Sequence, residues 1–391
     1  MSLTIRQAQV TEFDSKLPGV GTTIFTVMSR LAEDCGAINL SQGFPDYQPP
    51  TALLERVNYH LHAGHNQYPH MTGISPLREE IANKIARLYG TRPDATTEVT
   101  VTSGATEALF CAIHAVVRAG DEVVVFDPAY DSYEPAITLA GAQTIHVPLT
   151  LPGFSIDWER FASVLTGRTR LVIINSPHNP TGAVLSQTDL ERLATMLRPY
   201  NAYVLSDEVY EHIVFDGLKH ASVLANEELA PRSFAVFSFG KTYHATGWKV
   251  GYCVAPPTLS EEFRRVHQFN TFTTVTPLQY ALADYLMTCP EHYLDLSAFY
   301  QEKRDQFLEL FRDSRFKFEP SRGTYFQLAD YSAVSEQSDM AFARWLTEDC
   351  GVAVIPISAF YKESPDSRYV RFCFAKEPDT LREAARRLAS L

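Results

Sequence analysis

Polar side chains that can bind a phosphate or react as an amine follow three predicted β-strands. Ser103-Gly-Ala-Thr106 comes directly after one strand and opens a helix, so its backbone N–H groups and hydroxyls can hold a phosphate. Asp207 follows a second strand, and Ser238 and Lys241 follow a third. Because ligands bind at the carboxyl ends of the strands in open α/β sheets, we expect these groups to lie together.

This combination of groups favours one cofactor. A lysine at a strand end, a phosphate cradle beside it and a carboxylate earlier in the chain are found together at pyridoxal phosphate sites. Lys241, the 103–106 turn and Asp207 supply these groups, and Tyr210 and Lys249 lie near them in sequence. The pattern therefore predicts a pyridoxal phosphate site.

The elements that must position these groups alternate along the middle of the chain. Short β-branched runs alternate there with helical patterns, which is typical of a largely parallel α/β sheet. Strands are predicted at residues 99–102, 122–126, 171–174, 203–206, 234–238 and 250–254. A helix follows the first strand and ends near Gly120, and Ser186-Gln-Thr-Asp189 predicts a capping box at another helix start.

The pattern changes from about residue 290, which predicts a second domain. A helical pattern covers residues 293–311, strands follow near 325–328 and 369–374, and a charged helix ends the chain. Residues 1–40 contain no strand run of their own. We therefore predict a large cofactor-binding domain at 41–285 and a small α+β domain formed by 1–40 and 286–391.

Composition excludes several classes of function. The formal charge of −12 argues against nucleic acid, which requires clustered Lys and Arg. No apolar run approaches the roughly 20 residues that span a bilayer, and the first residues lack the layout of a secretory signal. The six cysteines are scattered without a CxxC pair, so we expect neither a metal site nor disulfides. A cytoplasmic protein is predicted.

Two segments resemble nucleotide-binding motifs. Gly19-Val-Gly-Thr-Thr-Ile24 begins like GxGxxG, but it lacks the third glycine and a preceding strand, so we expect a loop. Gly240-Lys241-Thr242 resembles the end of a P-loop, but Ala235 stands where that loop requires its first glycine. A P-loop NTPase is therefore a distant alternative.

Seven motifs, in order, resemble those of the pyridoxal-phosphate-dependent fold-type I, class I aminotransferases. They are Asn39-Leu-Ser-Gln-Gly-Phe-Pro-Asp46, Gln67-Tyr68, Ser176-Pro-His-Asn-Pro-Thr-Gly182, Ser206-Asp-Glu-Val-Tyr210, Phe237-Ser-Phe-Gly-Lys-Thr-Tyr-His-Ala-Thr-Gly-Trp-Lys-Val-Gly251, Gly323-Thr-Tyr-Phe326 and Val370-Arg-Phe-Cys-Phe374. The likeness is closer to the subgroup of kynurenine aminotransferase, glutamine transaminase K and bacterial methionine aminotransferase. It implies a mostly parallel seven-stranded sheet flanked by helices, plus a smaller α+β domain.

The resemblance assigns catalytic roles to three residues. Lys241 is expected to bind the cofactor covalently and then to carry a proton once substrate displaces it. Asp207 is expected to pair with the ring nitrogen and keep it protonated, so that the ring can accept electrons. Tyr210 is expected to donate, with Asn179, to the oxygen on the ring.

The resemblance also implies the remaining contacts with the cofactor. Tyr130 occupies the position that stacks on the ring. The implied set of cofactor-binding residues is Ser103, Gly104, Ala105, Thr106, Tyr130, Asn179, Asp207, Tyr210, Ser238, Lys241, Lys249 and, from a neighbouring subunit, Tyr68. The resemblance also implies a homodimer with shared active sites, in which Tyr68 and Phe272 serve the neighbour's site.

The substrates implied are an amino acid and a 2-oxo acid. Arg371 matches the arginine that binds the substrate carboxylate, near Gly43 and Asn179, and Phe25, Tyr47 and Phe272 match the lining of the side-chain pocket. Residues 267–274 contain no second arginine for an acidic side chain, which favours neutral substrates. Sulfur packs well against aromatic edges, so methionine comes first, followed by aromatic amino acids, kynurenine and glutamine.

Two other functions share these residues. A cysteine-conjugate or cystathionine β-lyase would use Lys241, Asp207 and Arg371 on the same scaffold, and release of pyruvate without an added oxo acid would reveal it. A non-enzymatic sensor that binds the cofactor is disfavoured, because the chain is acidic and no added winged helix precedes the motifs.

Overall fold

The computed structural model describes residues 14–363, 365–389 and 391, so residues 1–13, 364 and 390 of the predicted small domain lie outside the described residues. The helices are α1 (Ile24–Cys35), α2 (Thr51–His62), α3 (Ser75–Tyr89), α4 (Ala105–Val116), α5 (Tyr133–Leu139), α6 (Trp158–Val164), α7 (Gln187–Leu197), α8 (Phe239–Thr242), α9 (Pro257–Asn270), α10 (Thr276–Thr288), α11 (Glu291–Leu294), α12 (Leu296–Leu310), α13 (Asp339–Glu348) and α14 (Pro378–Leu388). The strands are β1 (Ile38–Asn39), β2 (Val99–Thr102), β3 (Glu122–Asp127), β4 (Gln143–Pro148), β5 (Thr169–Asn175), β6 (Tyr203–Asp207), β7 (Ser233–Ser238), β8 (Gly251–Val254), β9 (Phe326–Asp330), β10 (Val352–Ala353), β11 (Ile355–Pro356) and β12 (Tyr369–Cys373).

A seven-stranded sheet has the order β2-β8-β7-β6-β5-β3-β4, which confirms the predicted fold class. Every neighbouring pair is parallel except the two that involve β8. Thr102 and Ser238 both pair with Gly251, so β2 and β7 end at the same edge of the sheet. Asp207 ends β6 beside them, and this edge therefore collects the polar groups that follow the strands.

A three-stranded antiparallel sheet, β11-β12-β9, forms the centre of the C-terminal part. Its middle strand carries Arg371, which pairs with Leu328 on one side and Ile355 on the other. The helical pattern predicted over 293–311 is divided into α11 and α12 at Asp295. The capping box at Ser186 and Asp189 is present at the start of α7.

Apolar side chains form separate clusters on the two sheets. The seven-stranded sheet is covered on its two faces by clusters that include Val124 and Val125, adjacent residues of β3 that point to opposite sides. A third cluster joins Met28 of α1 to Phe372 of β12. The third cluster also includes Phe154 and Tyr210, so the division at 41–285 stays a prediction. No helix in the part of the chain that the structure describes is long and apolar enough to cross a membrane.

The nucleotide-like segments take neither of the nucleotide-binding structures. Residues 19–23 form a loop before α1 with no strand directly ahead of it, as predicted. Gly240 and Lys241 lie in the short helix α8, which begins immediately after β7. No phosphate-binding loop separates that strand from the lysine, so the segment is not a P-loop.

Candidate active site

A cavity of about 280 Å³ opens at the carboxyl edge of the seven-stranded sheet, beside β12 of the smaller sheet. It brings together most of the residues predicted for the site: Phe25, Gly43, Gly104, Ala105, Thr106, Tyr130, Asn179, Asp207, Tyr210, Ser238, Lys241, Lys249 and Arg371. Ser103, Tyr47, Tyr68 and Phe272 are not part of its lining. The fold therefore places an amine, a carboxylate, a helix N-terminus and a guanidinium around one space.

Lys241 presents its amine to this cavity from the first turn after β7. Its Nζ donates to the carbonyl oxygen of Gly43 at 3.0 Å and to the hydroxyl of Tyr325 at 2.8 Å. Burial lowers the pKa of Lys241 to about 8, because a charged ammonium is poorly solvated there. A larger fraction of the amine is therefore neutral and nucleophilic near neutral pH than for an ordinary lysine.

Asp207 is a buried carboxylate at the end of β6. Tyr133 donates its hydroxyl to Oδ2 at 2.6 Å, and no cation among the described residues forms an ion pair with Asp207. Burial raises the pKa of this carboxyl to about 6, although the bond from Tyr133 opposes the shift. A carboxylate held in this way is suited to a cationic ring nitrogen. The contact between Tyr133 and Asp207 was not predicted, because an aromatic residue in a helix usually packs in the hydrophobic core.

The N-terminus of α4 forms an anion cradle. Gly104 precedes the helix with a φ of 79°, and the first N–H groups of a helix have no partner within it. Lys249 extends over this turn and donates to Thr106 Oγ1 at 3.3 Å. A Cβ on Gly104 would lie 3.2 Å from Lys249 Cε, and one on Gly251 would lie 2.9 Å from the backbone nitrogen of Ala105. The absence of a side chain at these two glycines allows Lys249 and the backbone of Ala105 to lie close together at the start of α4.

Arg371 is fully buried and has unused hydrogen-bonding capacity. It donates to Asn179 Oδ1 at 2.6 Å and to the carbonyl oxygen of Ser41 at 2.8 Å, while its Nε has no partner among the described residues. The guanidinium lies 3.8 Å from the ring centre of Phe326. Within residues 14–363, 365–389 and 391, no carboxylate forms an ion pair with it. Burial lowers its pKa to about 10, and among the described residues only the more distant charge of Asp131 opposes this shift as a carboxylate, so a bound anion would be favoured here.

The aromatic residues predicted to contact a cofactor border the same space. The ring of Tyr210 meets the ring of Tyr325 edge to face at 5.2 Å, and burial raises the pKa of its phenol. Tyr130 lies edge to face with Tyr133 at 5.6 Å, and burial raises the pKa of its phenol to about 12. Both phenols are therefore neutral donors at physiological pH.

Comparison with known proteins identifies the family. Residues 36–388 match the family model for class I and II aminotransferases. The chain belongs to this family. The methionine aminotransferase of Escherichia coli is 54% identical over 377 residues, which span 96% of this chain and 98% of that protein. Mouse kynurenine–oxoglutarate transaminase 1 is 32% identical over 413 residues, with 96% of each chain covered.

Solved structures agree with this aminotransferase fold. An Escherichia coli structure with a methionine aminotransferase function superposes with a TM-score of 0.95 at 54% identity, covering 97% of this chain and 99% of that one. The N-succinyldiaminopimelate aminotransferase of Mycobacterium tuberculosis gives a TM-score of 0.94 at 40% identity, covering 97% and 99%. The predicted family and enzyme class are therefore confirmed.

Pyridoxal phosphate is the cofactor of this aminotransferase. The residues fit that group, because the site combines an amine of lowered pKa, a buried carboxylate without a cationic partner and an anion cradle beside a lysine. Lys241 would hold the aldehyde carbon, Asp207 the ring nitrogen, and Thr106 and Lys249 the phosphate. The cofactor supplies the carbonyl that carries the amino group and an electron sink for the substrate.

Four residues predicted for the aminotransferase site lie outside the cavity. Ser103 donates its N–H to Glu107 Oε2 at 3.1 Å, so this N–H is not free for a phosphate. Tyr47 packs away from the lining, with its hydroxyl on Tyr300 at 2.9 Å. Tyr47 was predicted because it matches a pocket position of the related subgroup.

Tyr68 and Phe272 are the other two, and they form an exposed pair. Their rings meet edge to face at 5.7 Å, and their side chains are 84% and 40% exposed. In a single chain the pair does not contribute to that chain's own cavity. Its predicted role in a neighbouring subunit stays a prediction.

Proposed function

We propose that this aminotransferase prefers a neutral amino donor, with L-methionine first and aromatic amino acids, kynurenine and glutamine after it. The charges of the cavity carry this proposal. Of the described residues that line it, three are cationic: Lys241, Lys249 and Arg371. The cofactor aldehyde, its phosphate and the substrate carboxylate account for all three. An acidic substrate side chain would therefore be buried without a cation.

The apolar residues that line the cavity favour a substrate with a thioether side chain. Phe25, Phe44 and Phe326 line the cavity, and Phe360 packs against Phe25 with ring centres 5.7 Å apart. Sulfur is polarizable and packs favourably against aromatic rings, while the unbranched methionine side chain adapts to an irregular space. The Escherichia coli relative acts as a methionine aminotransferase, and its 54% identity supports the same preference here.

The chain's own residues orient the reaction in two half-reactions. Arg371 binds the substrate carboxylate through the groups it leaves unpaired, next to Asn179. This contact fixes the Cα–H bond relative to the amine of Lys241, which can take that proton and hold it for the return transfer. A 2-oxo acid then binds at the same arginine and receives the amino group.

The assembly and location belong to the same proposal. The exposed Tyr68–Phe272 pair supports a homodimer in which each subunit completes its neighbour's phosphate site. Residues 41–285 form the large domain, and 1–40 with 286–391 form the small domain. The free, scattered cysteines support a reducing compartment such as the cytoplasm.

The absorption spectrum of the purified holoenzyme tests this function. L-Methionine is expected to convert the pyridoxal form into the pyridoxamine form, with L-aspartate reacting at least about a hundredfold more slowly. Lys241→Ala should fail to complete this conversion. Fast reaction with aspartate would refute the neutral preference. Pyruvate release from a cysteine conjugate without an oxo acid, together with unreactive methionine, would favour the β-lyase.

A further inference from the structure

A buried ion pair lies directly behind the phosphate cradle. Glu107 is in the first turn of α4, one residue after Thr106, and its Oε1 accepts from Nδ1 of His267 at 2.8 Å. The side chains of His267 and Glu107 are 0% and 7% exposed. None of the roles described for the cofactor or the substrate uses this pair.

The hydrogen bonds of His267 fit a charged imidazolium that is paired with an ionised Glu107. Its second nitrogen, Nε2, bonds to the carbonyl oxygen of Met71 at 2.8 Å, and a carbonyl can only accept. Since Glu107 also accepts, both ring nitrogens carry a proton. Burial alone lowers the pKa of His267, but the hydrogen bond and charge of Glu107 outweigh it and raise the pKa above its ordinary value.

Glu107 shapes the cradle through its other oxygen. Oε2 accepts from the backbone N–H of Ser103 at 3.1 Å, and the N–H of Gly104 is donated to the carbonyl oxygen of Thr102. These bonds fold the turn and leave the N–H groups of Ala105 and Thr106 without intrahelical partners. The carboxylate therefore sets which backbone donors remain for a phosphate.

The same carboxylate introduces an electrostatic problem that His267 solves. A phosphate at the cradle and a negative charge in the same helical turn repel each other strongly in a site of low dielectric. We propose that His267 is a positioning residue for the cofactor phosphate, because it neutralises the Glu107 carboxylate that folds the cradle and ties that cradle to the Met71 backbone. This inference rests on the proposed placement of the phosphate at Ala105 and Thr106.

The link to Met71 extends this function to the predicted subunit contact. Met71 follows Tyr68 by three residues, and His267 itself lies near the end of α9, ahead of Phe272. One imidazolium thus holds the turn that binds phosphate and both segments that carry the exposed aromatic pair. His267 therefore connects the cradle of its own subunit to the segments that carry Tyr68 and Phe272.

The other polar residues near Glu107 and His267 do not neutralise the Glu107 carboxylate. Cys111 donates its thiol to Glu107 Oε1 at 2.9 Å, and Glu107 and burial together keep its pKa far above the ordinary value. Arg264 lies on the same helix as His267 but donates to β2, at Thr100 and Val99. Glu107, Cys111 and His267 are close enough to hold a metal ion. Both nitrogens of His267 are already used in hydrogen bonds, one with Glu107 and one with the Met71 carbonyl oxygen, and we assign this group no metal.

Cofactor retention tests the proposal without measuring turnover. The full-length chain is converted to its pyridoxamine phosphate form, and the dissociation constant is measured by equilibrium dialysis for wild type, His267→Gln, Glu107→Gln and the double variant. His267→Gln should weaken binding about tenfold, because it leaves a lone negative charge behind the phosphate. Adding Glu107→Gln should restore most of the affinity, because it removes that charge.

Pyridoxamine without its phosphate is the matched ligand control. Its affinity should be equal in all four proteins, which should also share the wild-type circular dichroism spectrum. A double variant that binds pyridoxamine phosphate as weakly as His267→Gln, or more weakly, would show a merely structural role and overturn the proposal. The phosphate placement is tested separately by Lys249→Ala. If that change leaves the preference for the phosphorylated ligand intact, the placement itself is wrong.

Discussion

The hydroxyl of Tyr325 lies 2.8 Å from Nζ of Lys241 and donates its own proton to the carbonyl oxygen of Gly43. The same carbonyl accepts from Lys241 at 3.0 Å. A neutral amine has two N–H groups and one lone pair, so these two acceptors take both of its hydrogens. The lone pair is then the remaining polar site of the amine, and its direction is fixed for accepting a proton.

Tyr325→Phe should therefore slow proton transfer. Loss of one acceptor costs about 1 kcal/mol, or roughly five- to tenfold in rate, because the amine samples orientations in which its lone pair is misdirected. The rate of the methionine half-reaction, followed by stopped-flow absorbance, should fall by that factor. The dissociation constant of pyridoxamine phosphate should not change.

Tyr243→Phe is the matched control, since the buried hydroxyl of Tyr243 has no hydrogen-bond partner in the described part of the chain. Its half-reaction rate should equal that of wild type. Equal rates for Tyr325→Phe and wild type would contradict the proposed orientation of Lys241.

Arg371 and Arg304 are two buried arginines, and replacing each with Met should affect stability and activity differently. Arg304 forms an ion pair with Asp216 and donates to the carbonyl oxygen of Ser321, whereas Arg371 forms no ion pair among the residues described. Arg304→Met should lower the free energy of unfolding by about 1–3 kcal/mol. Arg371→Met should cost less than this, because it also removes an unpaired buried charge, yet it should reduce kcat/KM for methionine about a thousandfold.

Urea unfolding of the cofactor-free chains and initial rates of the holoenzymes measure the two effects. A large loss of stability in Arg371→Met, with little change in kcat/KM, would mean that Arg371 is a structural residue. Arg371→Lys separates charge from geometry. It keeps the charge but lacks the planar fork that binds a carboxylate through two hydrogen bonds, so most of the loss should remain.

Most strands that bear the site were predictable, whereas β4 of the large sheet, the two-residue strands β1, β10 and β11, and several contacts were not. Buried runs such as β6 are apolar throughout, and a polar residue at the end of such a run marks the sheet edge. β4 was missing from the predicted strands because it lies at the edge of the sheet, half-exposed, and contains Gln143, Thr144 and His146. Its alternation of polar and apolar residues is weak.

Side chains that act through another residue give little signal in sequence. Glu107 and Tyr133 lie in helices, where an acid and an aromatic residue have ordinary solvent-facing or core roles, and only the tertiary structure brings them to Ser103 and Asp207. Tyr325 lies within the motif at residues 323–326, but nothing in its spacing indicates contact with Lys241. The residues that react or bind the cofactor could be predicted from the ends of the strands. The residues that position them could be identified only from the fold.

Asp207→Asn should stabilise the cofactor-free chain at neutral pH. Burial raises the pKa of Asp207 from 3.8 to about 6, so the folded state disfavours the ionised carboxyl that the unfolded state accepts. The destabilisation develops as pH rises from about 4 to about 6 and is constant above that range. The variant should gain about 2 kcal/mol at pH 8, and this gain should shrink as the pH is lowered toward 4.

The exposed residue Asp313, whose side chain is 94% exposed, provides the control. Asp313→Asn should leave the free energy of unfolding within about 0.5 kcal/mol of wild type at each pH. With pyridoxal phosphate bound, the order should reverse, because the neutral amide of the Asp207→Asn variant cannot form an ion pair with a cationic ring nitrogen. If Asp207→Asn destabilises the cofactor-free chain at pH 8, burial of the carboxylate is not the dominant effect.

Subunits with different defects should complement each other if Tyr68 completes its neighbour's site. Lys241→Ala removes the amine from a subunit's own site, whereas Tyr68→Ala would damage only the site of the partner. In a mixed dimer one site then carries both defects and the other carries neither.

Refolding an equal mixture of the two variants tests this arrangement. Each parent protein should have little activity. Unfolding and refolding the mixture should restore about a quarter of the wild-type sites, because half of the dimers are mixed and each mixed dimer has one intact site. Separate affinity tags on the two subunits allow the mixed dimer to be isolated and assayed alone, where half of the wild-type activity is expected. If the isolated mixed dimer shows only the mean of the two parents, Tyr68 serves its own subunit or no site.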